Sequence, residues 1–222
     1  MDSVKNGMKV LIPKLCKLIL GFFIIAVGIV TVYQANIGLG AWEVLHDGIS
    51  KTFPIISYGQ ASIVVGLLVL CVGIAAKEKI GLGTLLNILV IGNMVDLVMW
   101  LGFIPEAPNY AIGLIMGVVG TAINTFGIYF YIAAGLGAGP RDTFLVVATR
   151  KTGKPVGLCR CVIELTAVII GFFMGGSVGL GTIIIALIAG PMMQLIFALV
   201  KFDIKSVKHL SFYDTAKLFA KK

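Results

Sequence analysis

The sequence predicts an all-α integral membrane protein. Six transmembrane helices form two inverted-topology three-helix repeats, each with a short interfacial or re-entrant helix after a GLG junction. Three observations lead there. Residues are 59% hydrophobic and only 13% charged, where a soluble domain carries about a quarter charged. The phrase IGLGTLLNILVIG at 80–92 returns as VGLGTIIIALIAG at 178–190. Lys and Arg collect in alternate loops.

The apolar runs lie at 18–36, 60–76, 83–103, 110–133, 157–175 and 180–200. Each approaches the roughly 20 residues that a helix needs to cross a hydrocarbon core. Their continuity excludes a β-barrel, whose strands alternate. The first run follows Lys5, Lys9, Lys14 and Lys17 and so imitates a signal peptide. No small-x-small cleavage site follows it, and the fourth run copies it, so it is read as a span.

Four cations precede the first run. Lys77 and Lys79 lie between the second and third. Arg141, Arg150, Lys151, Lys154 and Arg160 lie around the start of the fifth. Lys201, Lys205, Lys208, Lys217, Lys221 and Lys222 follow the sixth. Six crossings put all of these on one side, leaving Lys51 alone on the other. Cations mark the cytoplasmic side, so both termini are expected there. The net charge of +8 then reports orientation, and no nucleic-acid partner is expected. Trp42 and Trp100 are expected near the membrane interfaces.

Sliding the chain on itself by 98–99 residues extends the repeated phrase both ways. Residues 21–51 align with 120–150, and 56–99 with 154–197. Gly21/Gly120, Gly28/Gly127, Gly59/Gly157 and Gly92/Gly190 are among the matched glycines. Each copy holds three spans. Three is odd, so the second copy enters from the opposite side. The expected organisation is a first repeat over 1–104, an inverted second repeat over 105–200, and a basic cytoplasmic tail over 201–222. Inverted repeats are typical of secondary transporters, although inverted duplication also builds channels and proteins with no transport role.

At each GLG a span ends and a short helix is expected, at 42–51 and 140–151. Gly38, Gly40, Gly137 and Gly139 permit positive φ and close backbone approach. Pro140 suits a first helical turn, and Arg141 follows it. Glu43 and Asp142 occupy equivalent positions, where an acid complements the helix dipole. The plain reading is capping of an interface helix. The functional one is a symmetric pair of gates at half-helices.

The segments NIGLGAWEVLHDGIS at 36–50 and GLGAGPRDTFLVVATRKTG at 135–153 resemble the two signature regions of the YczE/YyaS/YitT-type bacterial membrane proteins, closest to the YczE-like branch. The first copy carries Ala41 where that pattern has Pro; the second keeps Pro140. The resemblance covers nearly the whole chain. It implies a multi-spanning bacterial inner-membrane protein with transport as the expected role, and it names no substrate.

Arg160 and Glu164 stand at i and i+4 on the fifth span, and so share a face. A charge inside a span is a functional candidate by default; a self-neutralising structural pair is the alternative. Asn93 and Asp96 share a face of the third span and are candidates for the same solute or proton pathway; the alternatives are an interhelical hydrogen bond for Asn93 and contact with the outer water for Asp96. Asn87 and Asn124 are read as interhelical hydrogen-bonding groups. Cys16, Cys71, Cys159 and Cys161 show no metal spacing. His46, beside Asp47 in an outer loop, and His209 have no ligand partners, so no metal or cofactor is expected. No HExxH, GxSxG or P-loop occurs, which argues against an enzyme or a resident ATPase. The tail is expected to lie as a basic helix on anionic lipid or to engage a protein partner.

The leading expectation is a transporter-like protein for a small solute. The alternatives are a membrane scaffold or regulatory partner, and the substrate-binding subunit of a vitamin-type importer.

Overall fold

The computed structural model describes residues 2–78, 80–137, 139–203, 207 and 210, with side chains from residue 7 onward. Eight helices and no strand occur among them: α1 Asp2–Gln34, α2 Ala41–Thr52, α3 Tyr58–Ala75, α4 Leu82–Leu101, α5 Tyr110–Ala134, α6 Pro140–Thr152, α7 Val156–Phe173 and α8 Leu180–Leu199. Six are long and apolar enough to cross a membrane, and the first of these runs over Gly7–Gln34. The spans and both short helices fall within a few residues of expectation, except at the N-terminus. There α1 begins some four turns before the apolar run. Hydropathy marks where lipid contact starts, and the basic turns ahead of it still form good helix, even with Pro13 inside. The helix expected in the tail falls mainly on residues outside those described.

The bundle is built on α1 against α5, its most extensive helix pair. Glycines set the approach. A Cβ on Gly21 would stand 3.0 Å from the Gly127 carbonyl, and one on Gly120 would stand 3.0 Å from the Gly28 carbonyl. Bare backbone lets the two axes close, as in membrane helices generally. Gly113 meets Ala35 at the other end of the contact, so the two helices run antiparallel. Leu18, Phe22, Ile25, Ala26 and Val30 of α1 form the core with Tyr131 and Ala134 of α5 and Val95 and Val98 of α4.

Around this pair, α4 lies on α1 and α8 lies on α5. The short α2 packs on α7 and α3, and the short α6 packs on α3 and α7. Between each long helix and its short successor the described backbone leaves helical form, and its polar groups need partners inside the bundle. Gly83 N–H donates to the Leu136 carbonyl at 2.7 Å, and Gly181 N–H donates to the Ile37 carbonyl at 2.8 Å. Each junction is thus held by the GLGT turn of the other half of the chain. Thr84 and Thr182 close these turns through bonds from the Gly81 and Gly179 N–H groups, at 3.4 and 3.2 Å. Gly38 at φ +108° and Gly137 at φ +132° turn the chain in a region closed to most side chains. A Cβ on Gly38 would lie 2.9 Å from Gly179 Cα, and one on Gly137 would lie 2.9 Å from Gly81 Cα.

Gly38→Ala and Gly137→Ala are each expected to lower stability by about 1–3 kcal/mol through strained backbone and crowding. Gly190→Ala stands in open space within α8 and is expected to be neutral or mildly stabilising, because Ala is the better helix former. Melting of the detergent-purified variants checks this; equal melting of all three would contradict it.

Candidate functional site

A cavity of about 370 Å³ lies among the helices. Its floor is apolar: Ile25 and Ile29 from α1, Ile128 and Ile132 from α5, Val65 from α3, and Ile88 and Ile91 from α4. Polar groups come mainly from three elements. The first turns of α2 and α6 supply Trp42, Glu43 and His46, and Gly139, Pro140, Arg141 and Asp142. From α7 come Arg160 and Glu164. Asn87, Asn124 and Ser62 add neutral hydrogen-bonding groups, and Met193 is the contribution of α8.

Both short helices begin from a glycine N-cap in extended conformation with no side-chain cap. Each first turn therefore carries partial positive charge beside its own acid, Glu43 or Asp142. Arg141 bridges the two helices. Its Nη1 donates to Glu43 Oε1 at 3.1 Å, and its guanidinium sits 5.1 Å from the Trp42 ring centroid. Trp42 is thus turned onto a cation at the cavity. Arg160 Nε donates to Glu164 Oε1 at 2.8 Å along one face of α7.

His46 is 3% exposed and accepts or donates no hydrogen bond among the described residues. Its ring packs edge-on to Tyr58 at 5.8 Å. Burial, and then the Arg141 charge, holds its pKa well below the usual imidazole range. It therefore lines the cavity as a neutral ring able to donate from one nitrogen and accept at the other.

Of the pathway residues expected from sequence, Arg160 and Glu164 meet the cavity, and Asp96 and Asn93 do not line it. Asp96 instead holds the start of α3, accepting from the Ser57 hydroxyl and from Gly59 N–H at 2.8 Å. Asn93 turns back along its own helix and donates to the Leu89 carbonyl at 2.6 Å. A helix start, whose first N–H groups have no partner within the helix, attracts a carboxylate more strongly than an apolar cavity wall does.

Asp47 was passed over as a loop residue. It is fully buried on α2, accepting from Lys51 Nζ at 2.8 Å and Ser177 N–H at 2.7 Å, with the Tyr33 hydroxyl at 3.4 Å. Lys51 also reaches Ser177 Oγ at 2.7 Å, so this cluster fastens α2 to the α7–α8 loop. At the opposite end Arg150 fastens α6 to the α3–α4 loop, through Glu78 at 2.7 Å and the Ala76 carbonyl at 2.8 Å. Among the described residues no three His, Cys, Asp or Glu side chains stand where they could hold a metal.

Comparison with known proteins places this architecture. Residues 12–198 match the model of a family of unknown function, DUF6198. The chain belongs to that family. The uncharacterized membrane protein YczE of Bacillus subtilis (strain 168) is 31% identical over 176 residues, 78% of this chain and 80% of the relative. An uncharacterized protein of Haemophilus influenzae (strain ATCC 51907 / DSM 11121 / KW20 / Rd) is 32% identical over 183 residues, 80% of each. No solved structure matches the chain. The YczE-like resemblance read from the two signature segments therefore holds, and the chain is a membrane protein of that family.

Two outcomes follow from the site. Asp47→Asn is expected to cost about 1–3 kcal/mol, because it weakens a buried acceptor for three donors. The depressed His46 pKa means that the unfolded chain takes up a proton below about pH 6.5 that the folded protein refuses. Stability from this residue is complete above that pH and declines as pH falls below it. Melting temperature measured from pH 7.5 to 5 is expected to fall less steeply in His46→Gln than in the parent; parallel curves would contradict it.

Proposed function

We propose that the protein is a bacterial inner-membrane transporter for a small solute, working by alternating access of two inverted three-helix repeats, 1–104 and 105–200, with both termini cytoplasmic. No chemical conversion of the solute is part of the proposal.

The observation that carries this is where the cavity lies relative to the internal repeat. Its walls come in equivalent pairs: Ile25 and Asn124, Ile29 and Ile128, Trp42 and Arg141, Glu43 and Asp142, Ser62 and Arg160, Gly66 and Glu164. A space lined by the same positions of both halves lies on the axis relating them. Sites on such an axis stay fixed while the halves exchange conformations. The packing adds support. α4 on α1 corresponds to α8 on α5, α2 on α7 corresponds to α6 on α3, and each junction is closed by the other half's GLGT turn.

The lining also bears on the cargo. Arg141 and Arg160 face Glu43, Asp142 and Glu164, and each of the two helix N-termini contributes about half a positive charge. The sum is near zero, so the cavity suits a solute with no net charge. Such a solute would set its apolar body against the isoleucines and a polar group toward His46.

The test is a thermal-stability screen of the purified protein against neutral, zwitterionic and net-charged metabolites, beside Glu164→Gln and Glu43→Gln. A binder at 100 times its Kd stabilises the fold by about 2.7 kcal/mol. Stabilisation by a net-neutral solute is expected in the parent and at least tenfold weaker in the variants, with flux of that solute into reconstituted liposomes. No stabilising solute and no flux would overturn the reading.

A further inference from the structure

The two halves differ in one place where the repeat makes them alike. In the first, α3 lies against α4. Gly59 and Gly92 form the contact: a Cβ on either would collide with the other's carbonyl oxygen. Asp96 fixes the approach through Gly59 N–H at 2.8 Å. The equivalents in the second half are Gly157, Gly190 and Gln194. There α7 and α8 barely touch. A Cβ on Gly157 or on Gly190 would find no heavy atom within 4 Å, and Gln194 is exposed. The gap between α7 and α8 borders the cavity, because Arg160, Ile163 and Glu164 line it from α7 and Met193 lines it from α8.

We propose that the protein has a second state in which α7 and α8 close, Gly157 packing on Gly190 and the Gln194 side-chain oxygen accepting from Gly157 N–H, while α3 and α4 part. The second state rests on the equivalence of the halves proposed above. Glycine inside a helix costs about 1 kcal/mol relative to alanine, and an open face gives Gly157 and Gly190 no packing return for that cost. Their counterparts show what the return is: backbone-to-backbone contact with a neighbouring helix. Gln194 can make the bond that Asp96 makes, since both offer a side-chain oxygen. Ser57 has no such copy, because its equivalent is Pro155. Closure would withdraw Arg160 and Glu164 from the gap and seal the cavity on that side.

The test uses Glu164 and Ala186, the equivalents of Gly66 and Ile88, where a Gly66 Cβ would stand 3.5 Å from the Ile88 Cβ. In the full-length protein, reconstituted into liposomes, Cys16→Ser, Cys71→Ser, Cys159→Ala, Cys161→Ala, Glu164→Cys and Ala186→Cys leave one thiol on each helix and keep both glycines. A disulfide needs Cβ atoms about 3.5–4.5 Å apart, the spacing that closure is expected to bring. Copper phenanthroline is expected to form an intrachain disulfide, seen by intact mass and by mobility. Adding Gly157→Leu should reduce that disulfide to background while leaving the melting temperature unchanged, because its side chain fits the open gap and blocks closure.

No intrachain disulfide in folded protein would overturn the proposal, and so would a disulfide indifferent to Gly157→Leu. Exclusive crosslinking between two chains would also overturn it, by showing that a second copy fills the gap. Closure without solute flux would retain the second state and remove the transport function. Flux without closure would do the reverse.

Discussion

Backbone that leaves a helix inside an apolar bundle must find hydrogen-bond partners in the protein, because lipid offers none. Everything else in this structure depends on how the segments around Ile37–Gly40 and Leu136–Gly139 meet that requirement. Each exposes carbonyls that cannot be satisfied within its own half. Each is satisfied by the N-terminal N–H groups of a helix from the other half, Gly181 for one and Gly83 for the other. The exchange needs bare backbone on both sides, which is why GLG meets GLGT twice. It also makes the two halves mutually dependent, since neither three-helix set closes its own junction. With the junctions fixed, α2 and α6 can start only at the shared cavity, and both direct their positive ends into it.

The charges follow from that placement. Two helix N-termini facing one apolar space would make it strongly positive, and Glu43 and Asp142 in the first turns offset this. Arg141 then ties Glu43 to the opposite helix, and Arg160 neutralises Glu164. A low-dielectric interior punishes unpaired charge far more than paired charge, so the ionised groups of the cavity stand close to partners of opposite sign. At the other ends of the short helices the basic residues are Lys51 and Arg150, equivalent positions in the repeat, each gripping a loop of the other half. A cation suits the negative end of a helix, and both helices use it as a tether.

The helices were legible because hydropathy and glycine position carry them directly. Spans, short helices and junction glycines could all be read before any coordinates. The helical start at Asp2 was not, because polar turns leave no apolar trace. Arg160 with Glu164 was legible through local spacing. The Glu43–Arg141 bridge spans 98 residues and has no local signal. One indirect signal exists: Trp42 aligns with Arg141 and Glu43 with Asp142 in the repeated sequence, and under the proposed inverted symmetry residues beside the axis meet their counterparts' neighbours. The bonds of Asp96 to Ser57 and Gly59 were not legible, because a carboxylate within a span looks the same in sequence whether it faces a pathway or caps a helix start. His46 and Asp47 share one short segment, yet one faces the cavity and the other a loop across the bundle, which hydropathy cannot distinguish.

The halves are also unlike in a way that bears on which conformation is favoured. Where Gly66 lies under Ile88 in the first half, at 3.0 Å from a built Cβ, the second half has Glu164 and Ala186 at the aligned positions. Large on small is preserved, but a carboxylate replaces a hydrocarbon. Closing α7 on α8 therefore buries an ion pair that now sits partly open, Glu164 being 33% exposed and Arg160 59%. Desolvating such a pair costs several kcal/mol per ion before their attraction is counted. The first half closes with no such penalty, which is a physical reason for α3–α4 to be the packed pair in this structure. A solute that hydrogen-bonds Arg160 and Glu164 replaces the water they lose. It would lower the cost of closure by its differential affinity for the closed state, the only means by which any ligand moves such an equilibrium.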